Sequence, residues 1–205
     1  MTRTPTNFKP GRHDPHFDFL VPWVYRLFHA RRPRDLLHLV QVAPGMRILD
    51  VGGGTGRIAQ HFPRHVTYVI VDPSRNMLRA APRQAHWYRV QGRAETLPFA
   101  EGTFHRVLVV DALHHFQHQE LGLREMWRVL APGGWLVIEE PDVTHPLGRW
   151  LPLFERLLLM RSRFLTAEEM RRALPQARVY HQARKDLRLW LVLEKPHSSP
   201  TERRA

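Results

Sequence analysis

The sequence predicts an α/β fold, a doubly wound and mostly parallel β-sheet that ends in an antiparallel C-terminal hairpin. Short apolar or β-branched runs alternate with helix-like segments, as expected for strands that are buried on both faces of a parallel sheet. A glycine-rich loop follows the first of these runs. Two strand-like runs near the C-terminus lie too close together for a parallel crossover, which needs about a dozen residues or more, so they must pair as a hairpin.

The predicted elements follow one another in regular order along the chain. The strands are predicted at Arg47–Val51, Val66–Val71, Trp87–Val90, Arg106–Val110, Trp135–Glu139, Arg178–Ala183 and Leu187–Glu194. The helices are predicted at Thr55–Phe62, Ser74–Ala81, about Gln119–Leu130, Leu147–Arg163 and Thr166–Leu174. In doubly wound sheets, ligands bind outside the carboxyl ends of the strands, so the loops that follow the strands are the expected position of a site.

Composition limits the classes of function. A length of 205 residues favours one domain, and a hydrophobic content of 43% is ordinary for a soluble globular protein. No apolar run approaches the ~20 residues that cross a membrane, and the polar N-terminus lacks the core of a signal peptide, so we expect a cytoplasmic protein. The absence of cysteine excludes disulfides, cysteine-ligated zinc and cysteine nucleophiles, and the sequence indicates no metal site.

One domain is expected over residues 16–195, with lid segments at about 16–30 and 144–175. Residues 1–15 and the tail 196–205 are polar and are predicted to be disordered. Both lid segments are rich in aromatic residues and leucine, which suits an apolar or aromatic ligand. The candidate pocket residues are Trp23, Tyr25 and Trp150. Arginines beside these apolar residues also favour contact with a membrane surface, and ordinary helix packing against the sheet is the alternative.

The chain is strongly basic, with 31 lysines and arginines against 19 acidic residues and a formal net charge of +12. Such an excess could attract an anionic partner, either RNA or an acidic membrane surface. The arginines are scattered along the chain and form no single block. We therefore favour a compositional origin for the charge over a binding function.

The glycine loop reads Asp50-Val51-Gly52-Gly53-Gly54-Thr55-Gly56. Its small residues let a ligand lie against the backbone, and Thr55 is placed to cap a following helix whose N-terminus would face an anion. Gly54, Gly56 and Ala59 also fit the dinucleotide fingerprint G-x-G-x-x-G/A. The loop alone therefore leaves open a dinucleotide, another nucleotide-type ligand or no ligand.

Polar residues follow the second and the fourth predicted strands. Asp72 ends the second strand, where a carboxylate can accept hydrogen bonds from both hydroxyls of a ribose; a turn or N-cap role is the alternative. After the fourth strand come His114 and His115, whose ordinary pKa near neutrality would suit proton removal from a phenol or an activated carbon acid. The alternative is that at least one of the histidines caps a helix or packs structurally.

These segments together resemble the class I S-adenosylmethionine (SAM) methyltransferases, from about Arg47 to Ile138. Asp-x-Gly-x-Gly-x-Gly resembles the first motif of that family. Gly92–Phe99 resembles its segment Gly-Asp-Ala-Glu-x-Leu-Pro-Phe, with Arg93 in place of the aspartate that bonds the adenine amino group. The segment Arg128–Ile138, with its Pro-Gly-Gly turn, resembles the approach to the fifth strand of the family. The chain looks most like the ubiquinone and menaquinone biosynthesis C-methyltransferases and their small-molecule relatives.

The resemblance implies a Rossmann-like class I methyltransferase fold, SAM as methyl donor and S-adenosylhomocysteine (SAH) as product. The residues implied to hold the cofactor are Asp50, Gly52, Gly53, Gly54, Thr55, Asp72, Pro73, Ser74, Met77, Arg93, Ala94, Glu95, Asp111 and Ala112. In this comparison His114 and His115 are the candidate catalytic residues. The segment after the fourth strand lacks the Asp/Asn-Pro-Pro-Tyr/Phe form, which disfavours methylation of adenine N6, cytosine N4 or glutamine.

Three functions stay open at this point. The first is methyl transfer by in-line displacement to a small, apolar or phenolic, quinone-like acceptor. The second is methyl transfer to RNA, which the net charge motivates. The third is a nicotinamide oxidoreductase or a non-catalytic nucleotide-binding module, and the C-terminal hairpin and the Pro-Gly-Gly turn speak against it.

Overall fold

Seven strands form one sheet in the computed structural model, which describes residues 34–146, 148, 162–185 and 187–197. They are β1 (Arg47–Val51), β2 (Thr67–Asp72), β3 (Trp87–Gln91), β4 (Phe104–Val110), β5 (Leu130–Pro141), β6 (Arg178–Lys185) and β7 (Arg188–Glu194). Their order across the sheet is β3-β2-β1-β4-β5-β7-β6. The first five strands are parallel, and β7 pairs antiparallel with both β5 and β6. The predicted sheet with its antiparallel hairpin is confirmed.

Helices lie on both faces of this sheet. They are α1 (Arg34–Val40), α2 (Arg75–Ala80), α3 (Gln119–Val129) and α4 (Ala167–Ala173). The last three confirm the predicted helices to within one residue at each end. Ser74 caps α2 by accepting a hydrogen bond from the backbone N–H of Met77, and a capping box between Thr166 and Glu169 begins α4.

The predicted helix Thr55–Phe62 is wrong, and so is the capping role of Thr55. A series of turns leads instead to one 3₁₀ turn at Ala59–His61, whose N-cap position is Ile58. The reason is Gly56, whose φ of +71° is left-handed and interrupts a right-handed helix. A Cβ atom at this position would also lie 2.9 Å from Cδ1 of Ile70, so the loop packs directly on the sheet.

The fifth strand is longer than predicted. It begins at Leu130, directly after α3 ends, and therefore includes the Pro-Gly-Gly segment that the sequence indicated as a turn. Its register against β4 shifts between Phe104 and Arg106. The strand thus starts irregularly and becomes regular only from Trp135, where the predicted strand began.

Two apolar layers cover the sheet, because alternate residues of each inner strand point to opposite faces. Leu49 and Val51 of β1 join the layer that contains α3 and α4, whereas Ile48 joins the layer that contains α1 and α2. With both faces covered, the strand ends are where polar side chains can gather. None of the described helices is long and apolar enough to cross a bilayer.

Several predictions fall outside the described residues. These are the terminal segment 1–15, the lid segment 16–30 with Trp23 and Tyr25, most of the predicted helix Leu147–Arg163 with Trp150, and the tail beyond His197. Ser162 and Arg163, the last two residues of that predicted helix, are described and are not helical.

Candidate active site

The carboxyl ends of the parallel strands bring most of the predicted site residues to one edge of the sheet. The glycine loop follows β1, Asp72 ends β2, and Asp111 follows β4. Because β7 runs antiparallel to β5, its first residue Arg188 lies opposite Pro141 at this same edge. The topology therefore adds a residue to the site that no motif in the sequence indicated.

The glycine loop presents bare backbone because it has no room for side chains. The backbone N–H groups of Gly52 and Gly53 donate to the carbonyl of Val71 over 2.8 and 3.2 Å. Gly52 has a φ of +75°, and a Cβ atom there would lie 2.6 Å from the Cβ of Ala112. Gly54 also has a left-handed φ, +53°. Glycine is therefore required both by conformation and by the approach of the loop after β4.

Asp50 supports this loop from beneath. Its side chain is 1% exposed, and Oδ2 accepts a hydrogen bond from the hydroxyl of Tyr68 over 3.0 Å. Burial raises the pKa of Asp50 to about 7. A Cβ atom at Gly53 would lie 2.6 Å from the same Oδ2 atom. The buried carboxyl thus fixes the path of the loop.

Asp72 holds both the glycine loop and the start of α2. Its Oδ2 accepts from the backbone N–H of Gly54 over 3.0 Å, and its Oδ1 accepts from the backbone N–H of Ser74 over 2.8 Å. The turn role and the ribose role are therefore compatible, because a carboxylate has about four acceptor positions. The side chain of Met77 also lies beside the loop, with Cε 3.1 Å from the position of a Cβ atom on Gly54.

Arg93 is fixed beside the segment that follows β3. Its Nη2 donates to Oε1 of Gln117 over 2.8 Å, and its Nε lies 3.4 Å from Oε2 of Glu95. Glu95 is buried and also accepts from the backbone N–H of His118 over 3.1 Å. The guanidinium is therefore a flat, partly exposed group next to buried Ala94.

Asp111 stands in a strained conformation between two arginines. Its φ is +50°, which is uncommon for a residue other than glycine. Nη1 of Arg188 donates to Oδ1 over 2.8 Å, and Nη2 of Arg57 lies 3.5 Å from Oδ2. The same Nη1 atom of Arg188 donates to Glu139 over 2.7 Å, and burial raises the pKa of that glutamate. This ion cluster joins the glycine loop, the end of β4 and the C-terminal hairpin.

The two predicted catalytic histidines lie on a 3₁₀ turn and have different environments. His114 is 3% exposed, stacks on Phe164 with ring centroids 4.7 Å apart, and places Nδ1 2.5 Å from Oε2 of Glu140. His115 places Nδ1 3.1 Å from Oγ of Ser162. Burial and the adjacent His114 lower the pKa of His115 to about 3, so this ring is neutral near pH 7.

Sequence analysis missed several residues of the site: Arg57, Tyr68, Glu139, Glu140, Phe164 and Arg188. One sequence feature could have indicated two of them, because Glu139 and Glu140 form an acidic pair at the carboxyl end of an apolar predicted strand. No pattern indicates Phe164 or Arg188, since each reaches the site only through the chain path after β5.

The edge fits SAM in three respects. The glycine loop offers a backbone surface that side chains would obstruct, as the short Cβ distances at Gly52 and Gly53 show. Asp72 supplies a carboxylate at the end of the neighbouring strand, where a ribose would lie across the edge. The polar turn after β4 then lies on the other side of the loop, next to Ala112.

Comparison with known proteins agrees with this geometry. A family model described as a methyltransferase domain matches residues 49–138. The ubiquinone/menaquinone biosynthesis C-methyltransferase UbiE of Vibrio parahaemolyticus is 33% identical over 172 residues, which are 78% of this chain and 65% of that protein. The demethylmenaquinone methyltransferase of Streptomyces avermitilis is 33% identical over 144 residues, 69% of this chain and 57% of that protein. The chain thus spans about three fifths of the length of these curated relatives.

Solved structures share the fold. A SAM-dependent methyltransferase of Thermotoga maritima superposes with a TM-score of 0.70 at 24% identity, covering 88% of this chain and 99% of that one. A methyltransferase solved in complex with the Haloferax volcanii Trm112 methyltransferase activator gives a TM-score of 0.74 at 17% identity, covering 88% and 98%. With the glycine loop, the sheet order and the relatives in agreement, the chain belongs to the class I SAM-dependent methyltransferases.

Proposed function

We propose that this protein transfers a methyl group from SAM to a small, apolar or phenolic, quinone-like acceptor. The observation that carries the proposal is the meeting of three features at one sheet edge: the side-chain-free loop, Asp72 and the histidine turn. The names of two relatives, a ubiquinone/menaquinone biosynthesis C-methyltransferase and a demethylmenaquinone methyltransferase, support the class of acceptor.

Different residues would bind different parts of SAM. The backbone of Gly52–Gly54 would receive the amino-acid end of the donor, Asp72 its ribose, and the segment around Arg93 and Glu95 its base. SAM supplies a methyl group on a positively charged sulfur, which is already an activated leaving group. The main task of the chain is then to align the acceptor with that methyl group and to exclude water.

Some acceptors must lose a proton before they can take a methyl group. Of the two predicted histidines, His115 is poorly suited to receive it, because a pKa of about 3 makes the ring a weak base at neutral pH. We therefore assign proton removal to His114, which lies on the same turn and contacts a carboxylate.

We also propose where the protein is located and which surface it contacts. We place the protein in the cytoplasm, with contact to a membrane surface through residues 16–30 and 144–175, where arginines stand beside apolar residues. An apolar acceptor would be most concentrated at such a surface.

Methyl transfer to RNA is the second candidate function, and the net charge of +12 favours it.

Binding is the first test, measured by calorimetry with SAH. Asp72→Ala should weaken SAH binding at least tenfold, because a hydrogen bond to a charged group contributes roughly 1.5–3 kcal/mol. Glu194→Ala is the matched control, since this carboxylate lies at the opposite edge of the sheet, across from Trp135, and pairs with Arg178; it should leave binding unchanged. Tight binding of NAD without binding of SAH would instead support an oxidoreductase and would contradict the proposal.

The acceptor is tested by incubating the protein with methyl-labelled SAM and a cell extract. Label in the organic-soluble fraction is the expected result and would support a quinone-like or phenolic acceptor. Label in the acid-precipitable fraction that ribonuclease removes would replace this acceptor by RNA.

A further inference from the structure

We propose that Glu140 is a positioning residue that fixes His114 in the one ring form able to take a proton from the acceptor. This inference rests on the proposed methyl transfer. It goes beyond that proposal because it names the residue that enables one of the two adjacent histidines to act as a proton acceptor.

Glu140 is a buried carboxylate, and both of its oxygens contact the histidine turn. Its side chain lies in β5 with a residue exposure of only 2%. Oε1 accepts from the backbone N–H of Ala112 over 2.9 Å and from that of Leu113 over 2.8 Å. Oε2 lies 2.5 Å from Nδ1 of His114. One side chain therefore holds both the backbone of the turn and the ring that the turn carries.

The segment that precedes α4 also contacts this turn. The backbone N–H of Arg163 donates to the carbonyl of His114 over 3.0 Å, and the ring of Phe164 stacks on the imidazole with an interplanar angle of 15°. His114 thus has a fixed backbone, a fixed ring plane and a fixed partner at Nδ1. Such restraint is what a group must have to meet a reacting atom in one geometry.

The pairing also decides which ring nitrogen carries the proton. An ionised carboxylate only accepts hydrogen bonds, so Nδ1 of His114 must be the donor. In the neutral ring, the other nitrogen, Nε2, is then the atom with a lone pair that can take a proton. The imidazolium that results stands beside the negative charge of Glu140, which stabilises it.

The acceptor in this step carries an ionisable O–H or an activated C–H group. The acceptor gives its proton to Nε2 of His114, and its electron pair forms the new bond to the methyl carbon. The carbon–sulfur bond breaks with its electron pair returning to sulfur, so SAH leaves as a neutral thioether. His114 afterwards releases the proton to water, which restores the starting state.

Glu140→Gln separates this role from a merely structural one. The glutamine Oε1 atom can keep accepting from the two backbone N–H groups, so the turn is retained. Its amide nitrogen, however, would donate to Nδ1, which moves the ring proton to Nε2 and removes the proton acceptor. We expect SAH affinity and the acceptor KM to stay close to wild type while kcat falls on the order of 100-fold or more.

Nitrogen NMR of the ring gives a readout that does not depend on turnover. The two ring nitrogens of His114 should show Nδ1–H in the wild-type protein and Nε2–H in Glu140→Gln. Glu125→Gln is the matched control, because that carboxylate also accepts a backbone N–H, from Leu97 over 2.9 Å, but lies on α3 and pairs with Arg128. It should leave both the ring form of His114 and kcat unchanged.

The outcomes separate this inference from the proposed function. A wild-type protein that transfers methyl groups, with a Glu140→Gln variant of equal kcat or unchanged ring form, would overturn the role of Glu140. A wild-type protein that binds SAH but methylates no acceptor would instead overturn the proposed function, while the NMR comparison still decides the ring form. If Glu140→Gln does not fold, His114→Gln serves in its place, and wild-type kcat in that variant overturns the inference.

Discussion

Asp50→Asn should remove the pH dependence that one buried carboxyl imposes on stability. In the folded chain the pKa of Asp50 is about 7, against an ordinary value of 3.8. Unfolding between these pH values releases the proton of Asp50, so the folded state loses stability as the pH rises through this window. A separation of about 3 between the two pKa values corresponds to about 4 kcal/mol. Asparagine does not titrate and keeps a carbonyl oxygen for the hydroxyl of Tyr68.

The measurement is urea unfolding of the wild-type and variant proteins at several pH values from 4 to 8. The wild-type protein should lose about 4 kcal/mol relative to Asp50→Asn over this range, because the comparison cancels the other titrating groups. Tyr68→Phe should extend the loss to higher pH, since the lost hydrogen bond had lowered the pKa of Asp50. A difference between wild type and Asp50→Asn that changes by less than about 1 kcal/mol over the range would refute the reasoning.

Two further predictions concern the glycine loop and the ion cluster. Gly53→Ala should cost about 1–3 kcal/mol of stability and should abolish SAH binding, because its Cβ atom would lie 2.6 Å from Asp50. Gly45→Ala, with a φ of +80° and open space around it, should lose about 1–2 kcal/mol by urea unfolding but bind SAH normally. Arg188→Gln should cost about 3–5 kcal/mol at pH 8, because it removes the guanidinium that the buried carboxylates of Asp111 and Glu139 share. That loss of stability should be smaller at pH 5, because Glu139, with its raised pKa, is more readily protonated there. An equal loss at both pH values would contradict this prediction.

Local patterns were sufficient for much of the fold. Strand positions could be predicted because β1, β2 and β4 are buried on both faces and so consist of continuous apolar runs. The hairpin followed from the short distance in sequence between its two strands, which no parallel crossover can span. The pattern failed at Thr55–Phe62, where helix-like apolar spacing was overridden by the left-handed conformation of Gly56.

The sequence by itself determined the fold class and the family, and it predicted the loop and strand-end residues that would hold a nucleoside, because each depends on residues adjacent in the chain. The pairing of His114 with Glu140, 26 positions away, and of Asp111 with Arg188, 77 positions away, was decided only by the tertiary structure. The physical reason is the strand order, which places β5 beside β4 and inserts β7 in antiparallel direction beside β5. Residues that are distant in sequence are thereby brought to one edge, where burial makes each charged group depend on a partner.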